Sequence, residues 1–175
     1  MANSFQIETQ EQRNWCWAAV AATVANYFFP GQAIEQCAVA TGVQYAQGVP
    51  NTNCCPNGST SVCDIPEALE DALNTVNNLL GKSLTHHASD TYLDFKIIRQ
   101  KIDAGLPICA RIRWYGEGER GHFVMIIGYS ESPSAGQWVD IADPRYEDST
   151  IPYEQFRSAY WGAGWWDDTY LVDQP

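Results

Sequence analysis

The chain has 175 residues, of which 45% are hydrophobic and 13% aromatic, and this supplies enough apolar material for one globular core. Its formal net charge of -11 excludes the dense positive surface that nucleic acids and anionic membranes attract, so we expect neither as a partner. No segment reaches the roughly 20 apolar residues that span a bilayer. The first twelve residues lack the basic start and apolar core of a secretory signal, so none is expected in this chain.

Helices are predicted in the first part of the chain. The segment 16–29 is apolar on nearly all faces, which is typical of a buried helix, and Pro30-Gly31 ends it. A shorter helix is expected over 33–40, closed by Gly42. Asp64 and Glu67 have the capping-box spacing and open a helix that runs to Gly81. Ser89 or Asp90 caps a further helix that ends at Gly105.

After Pro107 the pattern changes to short β-rich segments. Strands are predicted over 108–114, 122–129, 137–142 and 168–172, with a short helix over 153–160 and a packed loop between that helix and the last strand. A helical first part followed by an antiparallel sheet defines the α+β class.

The strongest chemical signal is Cys16, because it places a thiol in the first turn of the predicted buried helix. The helix dipole and the unbonded backbone N–H groups at this end favour thiolate over thiol, and thiolate is the nucleophilic form. A lone cysteine is more often an inert core residue, so a second group is needed to support a catalytic role.

His122 supplies that second group, since an imidazole can accept the proton of a thiol. An antiparallel hairpin around residues 130–135 places His122 directly opposite Asp143, whose carboxylate could orient the imidazole. Taken alone, His122 reads as a core histidine and Asp143 as a turn residue before Pro144. Together with Cys16 they predict a nucleophilic triad.

These residues resemble the papain-like cysteine peptidases. Cys16-Trp17-Ala18 matches the nucleophile segment of that family, Gly121-His122 before an apolar strand matches its histidine segment, and Gln10 matches its oxyanion-hole glutamine. The motifs NWCWAA, GHFVMIIGY and IADP are similar to the small bacterial branch that includes staphopain-like enzymes and avirulence-effector proteases. The resemblance covers roughly residues 10 to 172, and its order Cys, His, Asp is fairly specific.

The resemblance implies one peptidase domain over residues 1–175, with a helical lobe over about 10–105, a sheet lobe over about 106–175 and a cleft between them. It implies a monomeric, secreted or translocated bacterial endopeptidase that acts on proteins or peptides through an acyl-enzyme thioester, without metal or cofactor. Asp143 stands where papain has asparagine, and Gln12 is a second, weaker choice for the oxyanion donor.

Four further cysteines cluster in a region rich in Gly, Pro and Asn, and they are Cys37, Cys54, Cys55 and Cys63. The adjacent Cys54 and Cys55 rarely bond to each other, so either pairs 37–54 with 55–63 or pairs 37–55 with 54–63 are expected. A four-cysteine zinc site is the rival interpretation, but it lacks the usual Cys-x2-Cys spacing. The remaining cysteine, Cys109, is predicted to be a buried free thiol.

Two alternative functions use the same observations. A transglutaminase-like or deamidating effector could employ the same triad, and it would release ammonia in place of new peptide amino termini. A non-catalytic, disulfide-stabilised binding module would leave Cys16 no more reactive than an ordinary thiol.

Overall fold

The computed structural model describes residues 5–118 and 121–173, which form two compact units. The helical unit comprises residues 6–85, and the sheet unit comprises residues 86–173 together with Phe5. The sequence places the boundary between lobes near residue 105, whereas the structure groups residues 86–105 with the sheet. Within the described ranges, no helix is both long and apolar enough to cross a membrane.

The helical unit contains α1 (Cys16–Phe28), α2 (Gln36–Ala46), α3 (Cys54–Asn57) and α4 (Leu69–Leu80). The prediction of a buried first helix is confirmed, because every residue of α1 from Cys16 to Ala25 is buried. The predicted end of α4 at Gly81 is also confirmed, since that glycine adopts φ 60°, the left-handed conformation that closes many helices.

Two predicted helix boundaries in this unit are wrong. α2 continues through Gly42 to Ala46, and α4 begins at Leu69 without a side-chain cap. The capping box does not form because its two carboxylates have other partners: Asp64 accepts a hydrogen bond from the Asn14 backbone N–H, and Glu67 accepts one from the Gln47 amide.

Gly42 lies where α2 packs against α4, and its glycine identity has a steric cause. A Cβ atom added at Gly42 would lie 2.4 Å from Cγ2 of the buried Thr75 on α4. The two helix backbones therefore approach each other more closely than any larger residue would allow, and this outweighs the helix-ending tendency of glycine.

We expect Gly42→Ala to lower the free energy of unfolding by about 2 kcal/mol because it overpacks this contact. Chemical denaturation would measure the change. Gly31→Ala is the matched control, since its Cβ would meet no atom within 4 Å, and it should be neutral. Adding Thr75→Ser to Gly42→Ala removes the clashing methyl group and should recover part of the lost stability. Equal stability of wild type and Gly42→Ala would contradict the steric explanation.

Two disulfides brace the helical unit. They join Cys37 to Cys55 and Cys54 to Cys63, with Cα–Cα distances of 4.6 and 5.6 Å. Of the two pairings that the sequence leaves open, the structure therefore has the second. The zinc interpretation is wrong, because a sulfur in a disulfide carries no thiolate with which to bind the metal.

The sheet unit contains β1 (Thr85–Ser89), α5 (Phe95–Asp103), β2 (Ile108–Trp114), β3 (Gly121–Ser132), β4 (Gly136–Ala142), β5 (Ser149–Pro152), α6 (Tyr153–Ala159) and β6 (Gly164–Asp173). Its six strands have the order β1-β6-β2-β3-β4-β5, and the pairings from β6 across to β5 are antiparallel. Both helices pack on this sheet, where Ile98 of α5 and Phe156 of α6 are fully buried in its core. The α+β prediction is confirmed.

The sheet unit also differs from the predictions in detail. Helix α5 begins at Phe95 and not directly after Ser89 or Asp90, strand β5 was not expected, and β6 begins at Gly164 within the predicted loop. Strand β5 is short, and the start of β6 is rich in tryptophan and glycine. The strand conformation of these two segments therefore depends on pairing with neighbouring strands and not on a local pattern.

The register of the β3–β4 hairpin is not the predicted one. Met125 pairs with Ala142, and an irregularity between Ile126 and Gly128 shifts the register farther along the strands. His122 is therefore not directly opposite Asp143, which follows the last residue of β4. The offset from the predicted register begins at the turn, where Ser132 pairs with Gly136, and the irregularity changes the register by only one residue.

Candidate active site

The structure places the candidate catalytic residues in both units. Cys16 and Gln10 belong to the helical unit, whereas His122 and Asp143 belong to the sheet unit.

Cys16 is the first residue of α1, and the cysteine is 8% exposed. The first turn of this helix carries no acidic residue, so no carboxylate of its own neutralises the positive end of the helix dipole at the thiol. Backbone N–H groups in a first turn have no partner within the helix, so they are suited to bind a negative oxygen. The predicted position of a thiol at a helix start is therefore confirmed.

Gln10 lies in the segment that leads into α1, and its amide is bound locally. Its Nε2 donates hydrogen bonds to the backbone carbonyls of Gln12 and Arg13, each at 2.7 Å. Its Oε1 is buried and has no hydrogen-bond partner among the described residues. Gln12, the second oxyanion candidate, lies against the disulfide loop, where a Cβ on Gly58 would come within 2.8 Å of its Nε2.

The structure brings His122 and Asp143 together despite the different strand register. His122 Nε2 lies 2.8 Å from Asp143 Oδ1, and the two residues are 4% and 3% exposed. His122 is the second residue of β3, and the preceding Gly121 is closely packed, since a Cβ there would lie 2.7 Å from Arg111 Nε and 3.1 Å from the Ile112 carbonyl oxygen. Close packing therefore explains why glycine precedes His122 in the sequence motif.

Asp143 is held by more than the histidine. Its Oδ1 also accepts the backbone N–H groups of Arg145 and Tyr146, at 2.8 and 3.0 Å, and its Oδ2 accepts the Tyr160 hydroxyl at 2.7 Å. Burial raises the pKa of Asp143, but hydrogen bonds from His122, Tyr160 and the Tyr146 backbone, with the charge of His122, lower that pKa to below its ordinary value. The carboxylate is therefore ionised at neutral pH.

Burial and the adjacent Asp143 charge raise the pKa of Tyr160, so its hydroxyl keeps the proton that it donates. The aspartate is consequently both a turn residue, through its bonds to the two backbone N–H groups, and the partner of the imidazole. The two interpretations of Asp143 from sequence do not exclude each other.

Aromatic side chains enclose the His122 ring. Trp114 stacks on it with ring centroids 6.0 Å apart, and Tyr146 approaches with its ring nearly perpendicular at 5.8 Å. Trp114 also stacks on Tyr160 at 6.3 Å, so one indole contacts both the imidazole and the tyrosine that binds Asp143. Packing of this kind restricts the imidazole to few orientations.

Sequence reasoning missed the three aromatic residues around the pair. Tyr146 could have been found, because an aspartate before proline is a common start of a turn that binds the next backbone N–H groups. Trp114 and Tyr160 carry no such local signal, since each reaches the pair through the fold from a distant position.

The second free cysteine behaves differently from Cys16. Cys109 is fully buried in β2, and burial raises the pKa of its thiol to about 12. The thiol is therefore protonated at neutral pH and unsuited to nucleophilic chemistry, which confirms the prediction of a buried free thiol.

The fold is similar to a solved peptidase structure. The crystal structure of the peptidase domain of Streptococcus ComA, a bifunctional ABC transporter involved in a quorum-sensing pathway, matches with a TM-score of 0.58 and 16% sequence identity. The match covers 98% of this chain and 99% of that chain. At this identity the similarity concerns the fold, and it confirms the papain-like class. No curated protein sequence matches the chain.

The family is shown by the sequence itself. Residues 2–164 match the Peptidase_C39 like family, and the chain belongs to that family. It is a papain-like cysteine protease. The finer resemblance to staphopain-like and avirulence-effector proteases stays a prediction.

Proposed function

We propose that the protein is an endopeptidase in which Cys16, His122 and Asp143 form a catalytic triad. The observation that carries the proposal is the buried hydrogen bond between His122 Nε2 and the ionised Asp143. An ionised carboxylate can only accept hydrogen bonds, so the imidazole must hold its proton on Nε2. In the neutral ring Nδ1 then carries the lone pair, and we assign it as the base that accepts the thiol proton.

The proposed reaction is acyl transfer in two stages. The Cys16 thiolate attacks the carbonyl carbon of a peptide bond, a C–S bond forms, and the C–N bond breaks as His122 gives its proton to the leaving amine. A water molecule then gives a proton to His122 and attacks the thioester, which releases the carboxylate product and restores the Cys16 sulfur. This chemistry requires neither a metal nor a cofactor.

Two donors are proposed for the oxyanion that forms in each stage. One is the backbone N–H of Cys16, and the other is the Gln10 side-chain amide. Since both carbonyl partners of Gln10 Nε2 belong to its own loop, donation to substrate requires one of these bonds to be exchanged for a bond to the oxyanion. Each such donor is worth about 3 kcal/mol in comparable sites.

We also propose that the protein works in an oxidising compartment outside the cytosol, as a secreted or translocated protease. The two disulfides support this proposal, because such bonds are rare in reducing compartments. The proposed substrate is a protein or peptide, the proposed state is a monomer, and the net charge of -11 argues against nucleic acid or anionic membranes as partners.

The function is tested by product analysis with a mixed peptide library. We expect the wild-type protein to create new peptide amino termini, detected by isotope labelling and mass spectrometry, and to release no ammonia. His122→Ala should lower this rate by on the order of 10³-fold, because it removes the imidazole that accepts the thiol proton. His86→Ala, in strand β1 of the same unit, is the matched histidine control and should retain activity.

Release of ammonia without new amino termini would identify the deamidating or transglutaminase-like alternative. Absence of both products, with Cys16 no more reactive toward iodoacetamide than an ordinary thiol, would favour the binding module.

A further inference from the structure

Three residues next to Cys16 bind three consecutive residues far along the chain. The Asn14 backbone N–H donates to Asp64 Oδ1 at 2.8 Å, and the Asn14 side-chain amide donates to the Asp64 carbonyl at 2.9 Å. The Trp15 indole N–H donates to the Cys63 carbonyl at 2.7 Å, and that of Trp17 donates to the Ile65 carbonyl at 3.0 Å. The segment Cys63–Ile65 therefore contacts the chain on both sides of the nucleophile, and we name it the clamp segment.

The clamp segment is itself anchored by a disulfide. Cys63 is bonded to Cys54, and both cysteines are at most 1% exposed. The Cys54 backbone N–H binds the Thr41 hydroxyl of α2 at 2.9 Å, so the bridge ties the clamp segment to a second helix of the same unit.

The loop inside this bridge also packs closely on the residues before Cys16. A Cβ atom on Gly58 would lie 3.0 Å from the Trp15 ring, so the loop backbone lies directly against the indole. Trp15 itself is fully buried. The start of α1 is thus fixed by side-chain hydrogen bonds and by packing, both of which depend on where the disulfide holds the loop.

We propose that the clamp segment positions Cys16 for attack, that Asp64 is a positioning residue, and that the Cys54–Cys63 disulfide makes peptidase activity depend on oxidation of this bridge. The inference rests on the proposed function of Cys16. A dithiol such as dithiothreitol would reduce the bridge by two electrons, giving thiols at Cys54 and Cys63 and the cyclic disulfide of the reagent. The same reagent leaves Cys16 as a thiol, but it also reduces the Cys37–Cys55 disulfide, so the two bridges have to be separated by substitution.

The first test compares two substitutions of Asp64. Asp64→Ala removes the acceptor of the Asn14 backbone N–H, and we expect kcat to fall about 10-fold with KM changed less than about 2-fold, because misplacing a reacting group slows the chemical step. Asp64→Asn retains an oxygen acceptor and should stay within about 3-fold of wild type. Asp71→Ala, at an exposed position of α4, is the matched control and should not alter kcat.

The second test compares the two disulfides in buffer without reductant. We expect the Cys54→Ser/Cys63→Ser variant to lose about 10-fold in kcat, and the Cys37→Ser/Cys55→Ser variant to lose less than about 3-fold. Thermal unfolding of each variant shows whether the assay temperature lies below its Tm. If the first variant does not fold, dithiothreitol treatment of the Cys37→Ser/Cys55→Ser variant replaces it, because Cys54–Cys63 is then the disulfide that remains. Unchanged kcat after reduction of that bridge would overturn the dependence on its oxidation.

The rate of Cys16 alkylation by iodoacetamide separates this inference from the proposed function. A lower alkylation rate in Asp64→Ala than in Asp64→Asn supports the role of the clamp segment whether or not the protein cleaves peptides. If that difference is found and no peptide is cleaved, only the proposed function fails. Equal kcat and equal alkylation rates in wild type and Asp64→Ala would overturn the inference. Equal losses for Asp64→Ala and Asp64→Asn would overturn it as well.

Discussion

Replacing Cys16 with alanine is expected to lower kcat/KM for peptide cleavage by about 10⁴-fold or more, because the covalent thioester route is lost altogether. The residual rate should resemble that of water attack assisted only by binding and by the oxyanion donors. Stability should change by less than about 1 kcal/mol, since alanine is a good helix former of slightly smaller volume at this position.

Cys109→Ala is the matched control for this substitution. Its thiol is protonated and fully buried in β2, so its removal should cost stability of about 1 kcal/mol through a small cavity and leave kcat/KM within about 2-fold. Peptidase activity that survives in purified Cys16→Ala would show that Cys16 is not the nucleophile. Activity lost in folded Cys109→Ala would contradict the inert role of Cys109.

The second large effect is expected at Asp143. Asp143→Ala removes the acceptor of four hydrogen bonds, from His122, Tyr160 and two backbone N–H groups. We expect kcat to fall on the order of 10³-fold because the imidazole loses its tautomer and orientation. We also expect a loss of about 3 kcal/mol in the free energy of unfolding, because buried donors are left without partners.

The stability loss has a defined pH dependence. The pKa of Asp143 is lower in the folded protein than its ordinary value, about 3.9 in an unfolded chain. Its charge therefore stabilises the fold fully above that value, and the contribution is lost as the pH falls through the folded-state pKa. Denaturation curves of wild type and Asp143→Ala should consequently differ most at neutral pH and converge in acid.

Tyr160→Phe separates the two effects of Asp143. It deletes only the hydroxyl that donates to Oδ2, so it should cost about 1 kcal/mol of stability and less than about 10-fold in kcat. A stability difference between wild type and Asp143→Ala that stays constant from neutral to acidic pH would refute the assigned ionisation. Unchanged kcat in Asp143→Ala would refute its role in orienting His122.

Local patterns in the sequence were sufficient for the elements that bear the reactive groups. An apolar run that begins at Cys16 and stops before Pro30 predicts a buried helix with a thiol at its start, and the structure confirms it. A histidine at the start of an apolar alternating run predicts a strand, and β3 carries His122 as its second residue. Such signals depend on the periodicity of burial, which neighbouring residues determine.

The register of β3 and β4 was beyond these patterns. The predicted pairing placed His122 opposite Asp143. The observed turn pairs Ser132 with Gly136 and so gives the strands another register, yet the two side chains still form a hydrogen bond at 2.8 Å. The contact is made because Asp143 lies just past the end of β4, where its turn and the Tyr160 hydroxyl orient the carboxylate. The prediction of the pair was thus right for a partly wrong structural reason.

The sequence by itself determined the α+β class, the order of the reactive residues and the limitation of the clustered cysteines to two pairings. Only the tertiary structure decided which pairing forms, why Gly42 continues a helix, that Tyr160 and Trp114 enclose the His122–Asp143 pair, and that the clamp segment binds beside Cys16. The physical reason is the same in each case. These contacts join residues that are distant in sequence, so their energies depend on how whole elements pack and leave no trace in the local pattern of either partner.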